Sequence, residues 1–242
     1  MSPAMSPAMR VAVIPARGGS KRIPAKNIKP FCGKPMMAWT IETAIASQLF
    51  DRIIVSTDSQ EIARVATEYG AEVPFVRPDD LSADESGTIE VIQHTVAWLN
   101  DNDIYPGYVC CIYATAPFLR PLYLQQGYDL LRNSNASFAF SVCTFPAPIQ
   151  RALGITREQR IEAKWPEHIF TRSQDLEDCY HDAGQFYWGT ANAFEKKHTI
   201  FSSASLPVLV PRHLVQDIDT MEDWVRGEFM FKALMASGEI KP

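Results

Sequence analysis

The chain has 242 residues, of which 46% are hydrophobic, and a formal net charge of -5. This length and apolar content suffice for one substantial core with a modest insertion and argue against two equal domains. The acidic balance argues against a general nucleic-acid binder, which needs a basic excess to neutralise phosphates, and no apolar run approaches the roughly 20 residues that span a bilayer.

The opening MSPAMSPA repeats a four-residue unit and lacks the apolar stretch of a signal peptide, so residues 1–9 read as a disordered start before a single domain over 10–242. Residues 10–16 form an apolar run. A loop carrying Gly18 and Gly19 follows, and then apolar residues at helical spacing over 36–45. Residues 52–57 are β-branched enough for a buried parallel strand, and Asp58 with Glu61 marks a helix start that runs to Gly70. Residues 72–76 read as the next strand and 88–99 as the next helix, with Ile89, Ile92, Val96 and Leu99 on one face. Two further strands, 108–113 and 137–142, flank a helix over 122–132. From Phe145 prolines and polar loops break the pattern through Asp182, and residues 145 to about 180 read as an inserted arm, a lid or a partner surface. A last helix follows DIDT at 217–220 and carries Trp224, Phe229, Phe231 and Leu234.

Strands alternating with helices imply an α/β fold with a doubly wound, mostly parallel sheet. Ligands of such folds bind beyond the carboxyl ends of the strands, where loops 16–27, 57–58, 77–88 and 114–120 emerge. The five cysteines, Cys32, Cys110, Cys111, Cys143 and Cys179, are odd in number and contain no CxxC pair, which reads as reduced thiols in a cytoplasmic protein.

Seven of the 23 Lys and Arg residues precede the first acidic residue, Glu42, and four of them, Arg17, Lys21, Arg22 and Lys26, crowd the glycine loop. The loop matches neither GxxxxGK[ST] nor GxGxxG, which disfavours a P-loop kinase or a dinucleotide enzyme. Two glycines nevertheless allow close backbone approach to a ligand, Ser20 adds a hydroxyl, and the surrounding cations suit a polyanion of roughly triphosphate size. The alternative is a solvated turn whose charges happen to cluster; Pro15, Pro24 and Pro30 stiffen the segment and weigh against it. In the same way, Asp217 and Asp219 either face one side of an extended segment as a carboxylate pair or simply lead into the last helix, with Thr220 as N-cap and Asp223 at N3.

PARGGSKRIPAKN at 15–27 resembles the signature of the cytidylyltransferases that activate nine-carbon acidic sugars, the CMP-sialic acid synthetases and their relatives. The resemblance runs from Arg10 onward through RIIVSTDSQEIA at 52–63, RPDDLSAD at 77–84, ATAPFLR at 114–120 and DIDT. It implies a GT-A-like nucleotidyltransferase fold, a homodimer locked by the late arm, and transfer of CMP from CTP to an acidic nonulosonic sugar with release of pyrophosphate. It implies that Ala16, Arg17, Gly18, Gly19, Ser20, Lys21 and Lys26 surround the CTP phosphates, with Arg17, Lys21, Lys26 and Asp219 central to catalysis. Asn27 then contacts the nucleotide, Arg77 and Thr88 close over cytosine and ribose, and Asp217 and Asp219 hold Mg2+ (or Mn2+).

Two departures bear on the sugar. Where the sialic acid enzymes have Gln-Pro-Thr-Ser-Pro, this chain has Tyr113-Ala114-Thr115-Ala116-Pro117. RSQDLEDCYHDAGQFYWG at 172–189 and FCGKPM at 31–36 look more like the pseudaminic acid cytidylyltransferases, whose product serves bacterial surface or flagellar glycosylation. Tyr113, Thr115, His181, Asp182 and Gln185 are therefore the candidate acceptor contacts, against the alternative that His181 and Asp182 are strand-end polar residues satisfied within the fold. His181 is the natural general base if a side chain serves as one. Other readings are a cytidylyltransferase for N-acetylneuraminic, legionaminic or a KDO-type acid, and a nucleotide- or sugar-binding module without chemistry.

Overall fold

The computed structural model describes residues 8–83 and 86–240; the expectation for the first seven residues, and the end of the RPDDLSAD motif, lie outside them. In chain order the elements are β1 (Arg10–Pro15), a two-residue hairpin of β2 (Pro30–Phe31) and β3 (Lys34–Pro35), α1 (Met36–Ser47), β4 (Arg52–Ser56), α2 (Gln60–Glu68) and α3 (Thr88–Asp101). Then come β5 (Tyr108–Ile112), α4 (Pro121–Arg132), β6 (Phe138–Thr144), a small hairpin of β7 (Leu153–Ile155) and β8 (Ile161–Ala163), β9 (Tyr180–Thr190), α5 (Ala191–Glu195), β10 (Ser205–Leu209) and α6 (Met221–Ala236).

The main sheet has the order β10-β6-β9-β5-β1-β4. β1 runs parallel to β4 and β5, and β6 parallel to β10, while β9 lies antiparallel between β5 and β6. The period of two in each strand sends alternate side chains to two cores. Ala12, Ile14, Cys110, Ile112, Phe186 and Trp188 pack under α1, α2 and α4. Val11, Val13, Val109, Cys111 and Tyr187 pack under α3 and α5. The adjacent cysteines thus face opposite sides, both fully buried, and burial raises both thiol pKa values. All five cysteines are free. α4 approaches the sheet closely because Gly127 has no side chain: a Cβ there would stand 2.8 Å from Trp188 and 2.9 Å from Phe186. A third core joins α6 to the front of the molecule, with Phe31 edge-on to Trp224 and Phe231 and its carbonyl accepting from Trp39 Nε1 at 2.8 Å.

Three expectations need correction. Residues 72–76 are not a strand: Glu72 makes a single bridge to Ile54, and Pro74, which lacks an N–H, cannot continue the ladder. The helix start after β4 is capped by Ser59, whose hydroxyl accepts from Ile62 N–H at 3.4 Å, rather than by Asp58. Phe229 is exposed, while Trp224 and Phe231 carry the buried face of α6. Residues 145–179 hold only short turns and the β7–β8 hairpin, and expose Leu153, Ile155, Ile161 and Phe170. Among the described residues no helix is long and apolar enough to cross a membrane.

Candidate active site

Pairing of β1 with β4 continues one residue beyond the strand, since the buried Ala16 donates its N–H to Ser56 O at 2.9 Å. The glycine loop departs at Arg17 and is closed at its base by Asn27, 7% exposed, whose Nδ2 donates to Arg17 O at 3.0 Å. Gly18 packs against the turn after β4: its N–H donates to Asp58 Oδ1 at 2.8 Å, and a Cβ on it would meet Ser59 Cβ at 3.2 Å. The expectation that both glycines offer their N–H groups to a ligand is corrected for Gly18, whose donor is used in the fold.

A cavity of about 380 Å³ opens over this loop. Arg17, Ser20, Arg22, Lys26 and Asn27 line one wall, and Arg77 and Thr88 belong to the other. Tyr113, Ala114 and Thr115, from the loop after β5, complete it. Ala16, Gly18, Gly19 and Lys21 lie in the loop but not among the lining residues; Gly19 and Lys21 are exposed. The Arg77 side chain is 3% exposed. Its Nε donates to Ser82 Oγ at 3.2 Å, Asp58 Oδ1 stands 3.8 Å from Nη2, and Nη2 has no hydrogen-bond partner among the described residues. Burial lowers its pKa, with Asp58 opposing.

The segment before α6 closes the front of the loop. Lys26 Nζ donates to Ile218 O at 2.7 Å and lies 3.3 Å from Asp219 Oδ1, which also pairs with Arg22 Nη2 at 2.9 Å. The cap of α6 is carried by other groups: Thr220 Oγ1 accepts from Asp223 N–H at 3.2 Å, and Asp223 Oδ2 accepts from Thr220 N–H at 2.9 Å. The capping reading of DIDT is seen, for Thr220 and Asp223 make the cap; the Asp217 and Asp219 carboxylates take no part in it, and Asp219 is held by Lys26 and Arg22. Partial desolvation of its carboxyl, and next the charge of Asp219, raises the pKa of Asp217, with Lys26 opposing.

A second cavity, of about 530 Å³, adjoins the first and shares Tyr113 with it. Because β9 is antiparallel, its first residues reach the same edge as the carboxyl ends of the parallel strands, and His181 and Asp182 line this space. Asp217, Arg212 and Arg226 complete its charged lining. His181 Nδ1 stands 2.8 Å from Asp182 O, and since a carbonyl can only accept, Nδ1 carries the proton and Nε2 the lone pair. Asp182 accepts from Gly184 N–H at 2.9 Å through Oδ1 and from Tyr187 OH through Oδ2. The tight turn this requires uses Gly184 at φ +62°.

Two candidate acceptor contacts lie elsewhere. Thr115 lines the first cavity. Gln185 is 3% exposed and donates Nε2 to Leu214 O at 2.6 Å, because the register shift between Phe140 and Val142 around Gly184 turns it into the sheet. Sequence reasoning gave no site role to Asp58, Arg22, Arg212, Arg226 or Tyr187, although it counted Arg22 among the loop cations. For the first two a signal existed, an acid at the carboxyl end of β4 and a fourth loop cation; the others are joined to the site only by folding.

Among the described residues no cluster of three or more His, Cys, Asp or Glu side chains is arranged to hold a metal. Asp217 and Asp219 nevertheless fit magnesium, which binds through one or two carboxylates and completes its octahedron with substrate phosphates and water. Their mutual repulsion, felt in the raised pKa of Asp217, is what a divalent cation would relieve.

A family model described as Cytidylyltransferase matches residues 11–221. A pseudaminic acid cytidylyltransferase of Campylobacter jejuni is 44% identical over 92% of this chain and 96% of its own length. A CMP-N,N'-diacetyllegionaminic acid synthase of Legionella pneumophila is 33% identical over 91% of this chain and 95% of its own. Among solved structures, a CMP:2-keto-3-deoxy-manno-octonic acid synthetase complexed with CTP superposes with a TM-score of 0.69 at 16% identity, over 96% of this chain and all of that one, a likeness of fold.

Proposed function

The chain belongs to the cytidylyltransferase family, and from that premise we propose that it transfers CMP from CTP to the anomeric hydroxyl of pseudaminic acid and releases pyrophosphate. The observation that carries this reading is the pair of cavities meeting at Tyr113, one walled by cations and the other mixed in charge. The 44% identity with the Campylobacter enzyme supports the choice of sugar.

In this reading CTP occupies the first cavity. Arg17, Lys26 and Arg22, with Lys21 at the loop tip, face its phosphates, and Arg77 and Thr88 hold the nucleoside. The acid occupies the second cavity, where Arg212 and Arg226 meet its carboxylate and Asp182 its donors. The anomeric oxygen attacks the α-phosphorus past Tyr113. An O–P bond forms as the α–β bridging bond breaks, pyrophosphate leaves with that electron pair, and the hydroxyl proton passes to His181 Nε2 or water. Most of the acceleration is positioning and charge stabilisation that this chain's cations supply. Asp217 and Asp219 would hold a magnesium (or manganese) ion, which when bound neutralises charge on the phosphates. The cytoplasm is the compartment this reading assigns, with bacterial surface or flagellar glycosylation the use of the product. The exposed apolar residues of the arm support a homodimer, and sedimentation as a monomer would overturn that part.

The test is pyrophosphate release with CTP and Mg2+ across pseudaminic, N,N'-diacetyllegionaminic, N-acetylneuraminic and KDO-type acids. The highest kcat/KM is expected with pseudaminic acid, and a clear preference for another acid overturns the sugar assignment. CTP-dependent thermal stabilisation without turnover on any acid would instead mark a binding module.

A further inference from the structure

Four polar side chains form a row between the two cavities. Thr88 Oγ1, at the first turn of α3, lies 3.1 Å from Tyr113 OH. The rings of Tyr113 and Tyr187 stand 5.5 Å apart, tilted by 58°. Tyr187 OH in turn meets Asp182 Oδ2. Thr88 belongs to the first cavity, Asp182 to the second and Tyr113 to both, whereas Tyr187 lines neither and is 3% exposed.

The chemistry of the groups fixes the direction of the bond at Asp182. An ionised carboxylate only accepts, so the single proton of Tyr187 goes to Asp182. At the other end of the row Thr88 Oγ1 and Tyr113 OH share a hydrogen bond that either can donate. Burial raises the pKa of Tyr187 well above that of an ordinary phenol, which keeps it a neutral donor. With Gly184 N–H on Oδ1 and Tyr187 on Oδ2, both carboxylate oxygens are fixed in place, and each retains a lone pair.

We propose that Tyr187 is a positioning residue for acceptor recognition: its buried hydroxyl holds the Asp182 carboxylate so that it accepts from a hydroxyl or amide N–H of the sugar. This rests on the reading of the second cavity as the acceptor site. Phe140 stacks on Tyr187 at 5.8 Å, and a phenylalanine would keep that packing, so Tyr187→Phe removes the hydroxyl alone.

The experiment measures KM for each substrate in the full chain, with the acid that the wild-type protein turns over best. Tyr187→Phe is expected to raise KM for the acid about tenfold, the size of one hydrogen bond to a charged group, and to leave KM for CTP within about twofold. Asp182→Asn, which leaves the Tyr187 packing in place, gives the same selective rise even where Tyr187→Phe folds poorly. In the Asp182→Asn background Tyr187→Phe adds less than about twofold, because the two act through one contact. An unchanged acceptor KM in Tyr187→Phe, equal rises for both substrates, or full additivity with Asp182→Asn would overturn the role of Tyr187 while leaving the function intact. Wild-type protein that turned over no acid would overturn both.

Discussion

The two cavities on either side of Tyr113 are made in different ways. One wall of the first is a contiguous stretch, residues 15–27, held in shape by short local devices such as Asn27 on Arg17 O and Gly18 N–H on Asp58. The second draws on the end of β6, the start of β9, the turn at 212–217 and α6, which meet only once the sheet is assembled. The first cavity is therefore built on a motif and the second is a consequence of topology.

The largest expected effect falls where the two sides join. Asp219 touches Lys26 and Arg22 of the loop, and its neighbour Asp217 lines the second cavity. Asp219→Ala should lower kcat by about 10²–10³, the scale for losing one organising charge at a transition state. The thermal melt should stay near wild type, since its side chain is no part of the α6 cap. Pyrophosphate release checks this, and wild-type turnover in Asp219→Ala would break the link between the halves.

Arg212 and Arg226 sharpen the same contrast from the other side. Arg212→Gln and Arg226→Gln should each raise KM for the acid by about tenfold and leave KM for CTP unchanged, as expected for one charge-assisted contact. Initial rates with each substrate varied in turn decide it. A rise confined to CTP would move these arginines to the donor side.

This asymmetry explains what was legible beforehand. Strands β1, β4 and β5 are buried on both faces and read as continuous apolar runs, and the loop after β1 declares itself by composition. β9 was harder to see, although it is the longest strand in the sheet. Its His181, Asp182 and Gln185 interrupt the alternation, and Gly184 at positive φ turns the strand, so Gln185 points into the core where a plain period of two would put it on the cavity. Nothing local to Arg212 or Arg226 marks them, for the residues that line the second cavity with them come from the end of β6 and the start of β9. Residues 72–76 looked like a strand because Val73, Phe75 and Val76 favour one, and a single proline decided otherwise.

The smallest effect concerns the cap that follows Asp217 and Asp219. Asp223 accepts from Thr220 through its side chain and backbone, and from Asp219 N–H at 3.3 Å; these bonds, the Thr220 hydroxyl first, hold its pKa below the ordinary carboxylate value. Asp223→Ala should destabilise the fold by about 1 kcal/mol, the usual value of a helix cap, a drop of roughly 2–4 °C in Tm for a chain of this size. A depressed folded-state pKa means that the stabilisation is complete above the unfolded value of about 3.9 and is lost as the pH falls through the lower folded value. The Tm gap between wild type and Asp223→Ala should therefore be constant from neutral pH down to about pH 5 and should close in stronger acid. A gap that widened on acidification would mean that Asp223 is held by something other than the cap, and that the segment before α6 is anchored from elsewhere.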